Sequence, residues 1–386
     1  MYENLCKYAP NRDLMVLAPK IHLATGEKLA GWREYDAQAD FPVVRINLLR
    51  PLVVQSRSKW HSLALMLMEE IPVKLYLFFK LAQLIKKNDI KVLCIGELNS
   101  LSWVAKPLKR LYGVKVINYI HGEEVTNSAS YGNYEANRKR YLAEADALVA
   151  VSNFTRNYLI EQFGIAEQKI TLISNGVDLN QFAPSEKPLD LTKKHDLQGK
   201  QVLLTVGRLI PRKGIDKTIE ALPSILEQAP DTHYLIVGIG PYEEALKNKV
   251  TELGLENHVS FAGRVATEDL SRYYQLCDIF IMPNRTMPDG DTEGFGLVFL
   301  EANACGKPVI GGKAGGAVEA VQHEYNGLSV NGESIEEIRN AVLRLLTDSV
   351  LRENIIQNGI QLAQNSNFKR CAQAFSELCD SLIDEK

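Results

Sequence analysis

Cysteine is sparse in this 386-residue chain: six residues, at positions 6, 94, 277, 305, 371 and 379, show neither the short spacings of a zinc site nor a dense disulfide framework. A reducing compartment fits this usage. An excess of one charge is also missing, since 44 Lys and Arg stand against 47 Asp and Glu for a formal net charge of -3, which leaves no basic footprint for nucleic acid. Any anionic ligand must therefore meet a local group of cations. No run of the roughly 20 apolar residues that a spanning helix needs is present. The greasiest stretch, 63–87, is broken by Glu69, Glu70, Pro72 and Lys74, so it cannot cross a bilayer. The opening MYENLCKYAPNRDL carries no signal-peptide core, so the sequons at Asn153 and Asn284 read as chance matches and the expected location is cytoplasmic.

What the chain does have is rhythm. Short β-branched runs alternate with helical periods: LMVLAP (14–19), VVRINL (43–48), VLCIGE (92–97), KVINYIHG (115–122), ALVAVS (147–152) and ITLISNG (170–176). That alternation predicts a parallel sheet covered by helices on both faces. A polar stretch with two prolines follows, and the rhythm restarts with QVLLTVGR (201–208), HYLIVGIG (233–240), HVSFAGRV (258–265), DIFIMPN (278–284), PVIGG (308–312) and GLSV (327–330). The chain reads as α/β, with two doubly wound, Rossmann-like domains facing across a cleft where open α/β sheets bind ligands. The expected boundaries are 1–184 for the first domain, 185–200 for a linker and 201–365 for the second domain, with 366–386 a helix packing back on the first.

Three stretches carry chemistry. In EGFGLVFLE (293–301), a helix beginning near Phe295 points the unpaired N–H groups of its first turn at an anion, and the glycines admit a phosphate closely. Glu293 then stands just before the helix and Glu301 two turns along, both able to accept hydrogen bonds from hydroxyls. A ligand whose phosphates are flanked by polyhydroxyl rings, a nucleotide sugar, suits that order. GRLIPRKG (207–214) leaves a strand and opens a helix, so Arg208 and Lys213 are candidates to neutralise a diphosphate. HGEE (121–124) ends a strand of the first half, from which His121 reaches the cleft. VGIGP (237–241) lacks the G-x-G-x-x-G spacing and downstream acid of a dinucleotide site, which argues against a dehydrogenase. Each motif alone is common as solvated decoration or packing; their combination is what points to a site.

Taken with VSNFT (151), ISNGVD (173), IVGIGPYEE (236), VSFAGRV (259) and DGDTEGFGLVFLEANACGKPVIGGKAGGAVE (289), these residues resemble the retaining family-four glycosyltransferases of the GT-B fold, over nearly the whole chain. MPNRT followed by EGFGLVFLEA is especially similar to bacterial enzymes that move mannose from GDP-mannose to phosphatidylinositol mannosides or exopolysaccharide intermediates. The resemblance implies that Arg208 and Lys213 hold the donor diphosphate together with backbone groups at Phe295, Gly296 and Leu297. It implies that Glu301 binds the ribose, that Glu293 contacts donor-sugar hydroxyls, that Gly263, Arg264 and Val265 line the base pocket, and that His121 sits beside the reacting sugar. It implies metal-independent transfer with retention, the leaving phosphate taking the acceptor proton, and no cofactor beyond the nucleotide-sugar co-substrate, GDP-mannose or a UDP-sugar. DGD (289–291) is placed in a loop rather than in a metal motif. The acceptor is expected to be lipid-linked or a saccharide, recognised through the loops of residues 20–75. Trp60, Leu75, Phe78 and Phe79 near Lys74, Lys80, Lys86 and Lys87 suit peripheral contact with the inner face of the plasma membrane, although a helix covering a sheet accounts for the same pattern.

The resemblance has one gap. Family members open on a strand and a Gly-Gly loop that faces the donor phosphates, whereas this sequence starts at what looks like the end of the following helix, so the first strand is expected to be missing. Either Met1 stands inside a longer gene or the chain is short; as given, it is expected to bind nucleotide and to transfer weakly. A non-catalytic nucleotide-sugar-binding subunit and a sugar-nucleotide epimerase stay open as alternatives.

Overall fold

The computed structural model describes residues 5, 7–8, 13–21, 27–49, 64–126 and 135–384. Trp60 and parts of the expected acceptor loops lie outside these residues. In the first half, β1 (Val16–Pro19) pairs with β2 (Val43–Ile46), and β3 (Val92–Ile95), β4 (Lys115–Ile120), β5 (Ala147–Ala150) and β6 (Ile170–Leu172) form a separate four-stranded sheet in that order. In the second half, β7 (Gln201–Val206), β8 (Thr232–Val237), β9 (Val259–Gly263), β10 (Ile279–Met282), β11 (Val309–Gly312) and β12 (Gly327–Val330) are arranged β12-β11-β10-β7-β8-β9. All named pairs are parallel. The β-branched runs explain this: every residue of β5, β8 and β10 is buried, as strands covered on both faces require. β12 coincides with its sequence run, and the other strands are one to four residues shorter than theirs, the extra residues lying in the loops at either end of the strand.

Helices return the chain between strands. Before β3, a wide π-turn (Met66–Glu70) leads into α1 (Ile71–Asn88), which buries Leu77, Ala82, Leu84 and Ile85 against the sheet. Its other side leaves Leu75, Tyr76 and Phe79 exposed, continuing Leu67 and Met68 of the π-turn. The chain thus covers a sheet with one face and presents apolar side chains to solvent with the other. No helix among the described residues is long and apolar enough to cross a membrane. Between the halves, the segment read as a polar linker contains α2 (Leu189–Lys194), whose Leu191 is buried, and Lys187 Nζ donates to both Asp278 carboxylate oxygens at 2.7 Å.

One apolar cluster is continuous across both halves: Ile117, Tyr119 and Val149 of the first sheet pack in the same cluster as Leu204, Phe280 and Phe299. The last helix, α3 (Phe368–Asp384), returns to the first half. The Val177 N–H donates to the Ser366 carbonyl at 2.9 Å, and the Phe375 ring lies 6.2 Å from that of Tyr119.

Candidate active site

The site residues follow the C-terminal ends of β4, β7 and β10, and in the second sheet β7 and β10 flank the point where strand order reverses. After β7 the chain makes a tight turn, Pro211–Lys213, closed by Gly214 in the left-handed region (φ 69) before the helix Ile215–Leu226. Proline presets the φ of the first turn residue, and the Arg212 carbonyl accepts from the Arg285 N–H at 2.9 Å, so the turn is fixed to the loop after β10. The turn buries two cations, Arg212 and Lys213. Buried cations require partners. Both donate to a single oxygen, Oε2 of Glu293: Lys213 Nζ at 2.5 Å and Arg212 Nη1 at 2.8 Å. Burial raises the Glu293 pKa while these cations lower it more, so the carboxyl stays below its ordinary value and ionised.

The segment after Glu293 differs from its expected form. The helix begins at Leu297 (Leu297–Ala304, α4) rather than near Phe295, because Gly296 has φ 89, which no helical residue can hold. Glu301 therefore lies one turn along, not two, on the same side as Leu297. Gly294, Phe295 and Gly296 form the approach to the helix, and the free N–H groups belong to its first turn. The Tyr274 hydroxyl donates to Glu301 Oε2 at 2.6 Å; burial raises the Glu301 pKa, and this hydrogen bond opposes the rise.

The opposite wall comes from the first half. His121 is exposed at the end of β4, its ring 5.1 Å from Tyr119, and desolvation by the cleft lowers its pKa. Glu124 accepts from the His121 N–H at 2.7 Å, which closes the HGEE turn. Glu123 crosses to the other wall: its Oε1 lies 3.0 Å from Arg208 Nη2 and its Oε2 3.4 Å from Arg212 Nη2. Gly294 rests directly on the His121 carbonyl and Gly122, so close that a Cβ at 294 would overlap the carbonyl oxygen. Ser152 Oγ donates to the Gly294 carbonyl at 2.7 Å. Ser152 also caps the helix Asn153–Phe163, and the carboxylate of Glu319, from the second half, accepts from the N–H groups of Asn153 (2.8 Å) and Phe154 (2.7 Å) at the same helix start.

The structure thus brings together His121, Arg208, Lys213, Glu293 and the Phe295–Leu297 backbone, with Glu301 one helical turn away. Gly263, Arg264 and Val265 stand further off, at the end of β9, which β8 separates from β7. Arg264 is exposed, and Val265 packs against the shared apolar cluster. Sequence reasoning passed over Arg212, Glu123, Tyr274 and Glu319. A second cation beside Lys213 and a second acid in HGEE were visible signals; the pairing of residues 81 and 89 positions apart was not. Asp291 of the DGD loop lies 3.3 Å from Arg212 Nε, and no cluster of three or more His, Cys, Asp or Glu placed to hold a metal occurs among the described residues.

Two parallel α/β units meeting at a cleft of this kind define the GT-B glycosyltransferase fold. HepE from Anabaena, solved in complex with UDP, superposes with a TM-score of 0.73 at 24% identity, covering 98% of this chain and 94% of that one. A sucrose-phosphate synthase from Thermosynechococcus elongatus gives 0.76 at 22% identity, covering 100% and 92%. The chain matches the family described as Glycosyltransferase Family 4 over residues 50–181 and Glycosyl transferases group 1 over 189–362, and it belongs to these glycosyltransferases. A GDP-mannose-dependent alpha-(1-6)-phosphatidylinositol monomannoside mannosyltransferase of Mycobacterium tuberculosis is 38% identical over 272 residues, 70% of each chain. Its counterpart in Mycolicibacterium smegmatis is 33% identical over 341 residues, 87% of this chain and 81% of that one. The protein is accordingly an enzyme, a hexosyltransferase that draws on a nucleotide sugar.

Proposed function

We propose that the chain transfers mannose from GDP-mannose to a phosphatidylinositol mannoside or related lipid-linked saccharide at the inner face of the plasma membrane, with retention of configuration. The observation that carries this reading is the convergence of Arg208, Arg212 and Lys213 with Glu293 at the approach to an open helix N-terminus, in a chain related to GDP-mannose-dependent enzymes. Arg208 and Lys213 hold the donor diphosphate, and the first-turn N–H groups around Gly296 and Leu297 complete its cradle. Glu301, oriented by Tyr274, accepts from the ribose hydroxyls, Glu293 accepts from those of the hexose, and Gly263–Val265 face the base. Fixed cations stabilise the charge that develops on the leaving diphosphate, which takes the acceptor proton; His121, whose pKa desolvation lowers, lies beside the reacting carbon.

Acceptor access is assigned to the exposed apolar side of the π-turn and α1, where Met68 is 78% and Phe79 65% exposed next to Lys74 and Lys80. Calorimetric titration of GDP, UDP and ADP tests the donor half: GDP is expected to bind tightest, with binding lost in Lys213→Ala and Glu301→Ala. Preference for UDP overturns the nucleotide assignment. Flotation with anionic phosphatidylinositol vesicles tests the acceptor half. Association that weakens with salt and is lost in Met68→Asp/Phe79→Asp is expected, and no association removes the membrane reading.

A further inference from the structure

We infer that Arg212 is a positioning residue for the transfer, holding the Glu293 carboxylate so that one oxygen is fixed by protein cations and the other is left for the donor sugar. The inference rests on the reading of Glu293 as the acceptor of hexose hydroxyl hydrogen bonds, and it assigns a task to a residue that does not itself touch the donor.

The argument starts from atoms. Lys213 Nζ and Arg212 Nη1 both reach Glu293 Oε2, at 2.5 and 2.8 Å, while no hydrogen bond from a described residue reaches Oε1. Two cations on one oxygen fix the rotation of the carboxylate in a way that a single flexible ammonium does not. Arg212 is suited to this because its own head is immobilised on every side. Nη2 faces Glu123 Oε2 at 3.4 Å, and Nε lies 3.3 Å from Asp291 Oδ1, within ion-pair range though off-line for a hydrogen bond. A planar guanidinium presents its nitrogens in a fixed fork to three carboxylates at once; an ammonium is a point charge and meets one or two. The backbone is fixed as well, through the Arg285 N–H on the Arg212 carbonyl and the tight Pro211–Lys213 turn.

The charges facing Glu293 are Lys213 and Arg212 from the turn; Asp291 of its own loop and Glu123 meet Arg212, with Arg208 beyond Glu123. Removing Arg212 leaves Glu293 on Lys213 alone, in the presence of two acids that have lost their shared cation. Burial then acts on Glu293 with less opposition, so its pKa rises and its unengaged oxygen loses its fixed direction.

The test is steady-state transfer from GDP-mannose by Arg212→Ala, Arg212→Lys and Glu293→Gln, with GDP titration and thermal melting of each. For Arg212→Ala, kcat is expected to fall roughly 10- to 100-fold while GDP affinity stays within about threefold. The acid limb of its kcat–pH profile should move to higher pH. Arg212→Lys should recover part of kcat and part of the limb. If Arg212→Ala does not fold, Arg212→Lys carries the test through the same limb. Parallel losses of kcat and GDP affinity with an unmoved acid limb assign Arg212 to scaffolding and overturn the inference. Normal transfer by Glu293→Gln instead overturns the underlying reading of Glu293, and a defective Glu293→Gln beside a normal Arg212→Ala overturns the inference alone.

Discussion

The contact between Gly294 and the strand-end loop of the first half makes a sharp prediction. An alanine at 294 places its Cβ 3.1 Å from the His121 carbonyl carbon and 3.3 Å from Gly122 Cα, and inside contact distance of the carbonyl oxygen. Both partners are backbone, so no side chain can swing away. Relief requires the walls to part by roughly 1 Å, a displacement that can cost on the order of 100-fold in rate when it separates reacting groups. The residues proposed to hold the donor, Arg208, Lys213 and Glu301, all belong to the second half and move together. Gly294→Ala is therefore expected to lower kcat about 100-fold while GDP affinity changes by less than about threefold. The assay pairs transfer of labelled mannose from GDP-mannose with calorimetric GDP titration, and a melting curve shows that the chain is folded. A folded Gly294→Ala protein that transfers within a few-fold of the parent refutes the claim that this contact sets the reacting geometry. A large loss of GDP affinity refutes the division of labour between the halves.

Three more outcomes follow from individual bonds. Tyr274→Phe removes the hydroxyl that orients Glu301 and is expected to weaken GDP binding roughly 3- to 10-fold by calorimetry, without loss of fold. Glu301→Gln is expected to melt higher than the parent at pH 7.5. Burial raises the Glu301 pKa, so its contribution to stability is full below the ordinary value of 4.5 and is lost as pH climbs through the raised one. The gain should accordingly vanish in scans at pH 4.5. Glu319→Ala strips the helix at Asn153 of the carboxylate that accepts from Asn153 and Phe154, and the melting temperature should fall by roughly 2–4 °C, as loss of a cap worth about 1 kcal/mol would give.

Most strands were legible in the sequence because burial on both faces demands uninterrupted apolar runs, and ALVA and IFIM announce themselves that way. Their ends were not, because Val151 and Ser152 continue the apolar and small pattern after β5 has ended, and only the hydrogen bonds decide where pairing stops. The helix α4 was placed two residues early for a related reason: Gly294 and Gly296 look alike in sequence, yet one owes its glycine to a close backbone approach and the other to a positive φ. Within the site, single motifs carried Arg208, Lys213, Glu293 and Glu301. Arg212 and Glu123 escaped because their meaning lies in pairing across the cleft, which periodicity does not encode. Tyr274 reads as one more core aromatic until its hydroxyl is seen on Glu301.

The ion cluster has a kinetic consequence. Arg208, Arg212 and Lys213 are three cations set among Glu123, Asp291 and Glu293, three carboxylates, so their formal charges cancel. At the proposed donor site these six groups together give an approaching diphosphate little net pull from a distance, so encounter is expected to approach the pace of unsteered diffusion. On the proposed donor role of Arg208, attraction develops at close range, once the ligand takes Arg208 away from Glu123. Stray inorganic phosphate has nothing to offer Glu301 or the sugar side and competes poorly for that exchange. On that reading, the same acids that dim the cleft's pull on the donor act as a filter, trading speed of capture for selectivity among the many small anions of the cell.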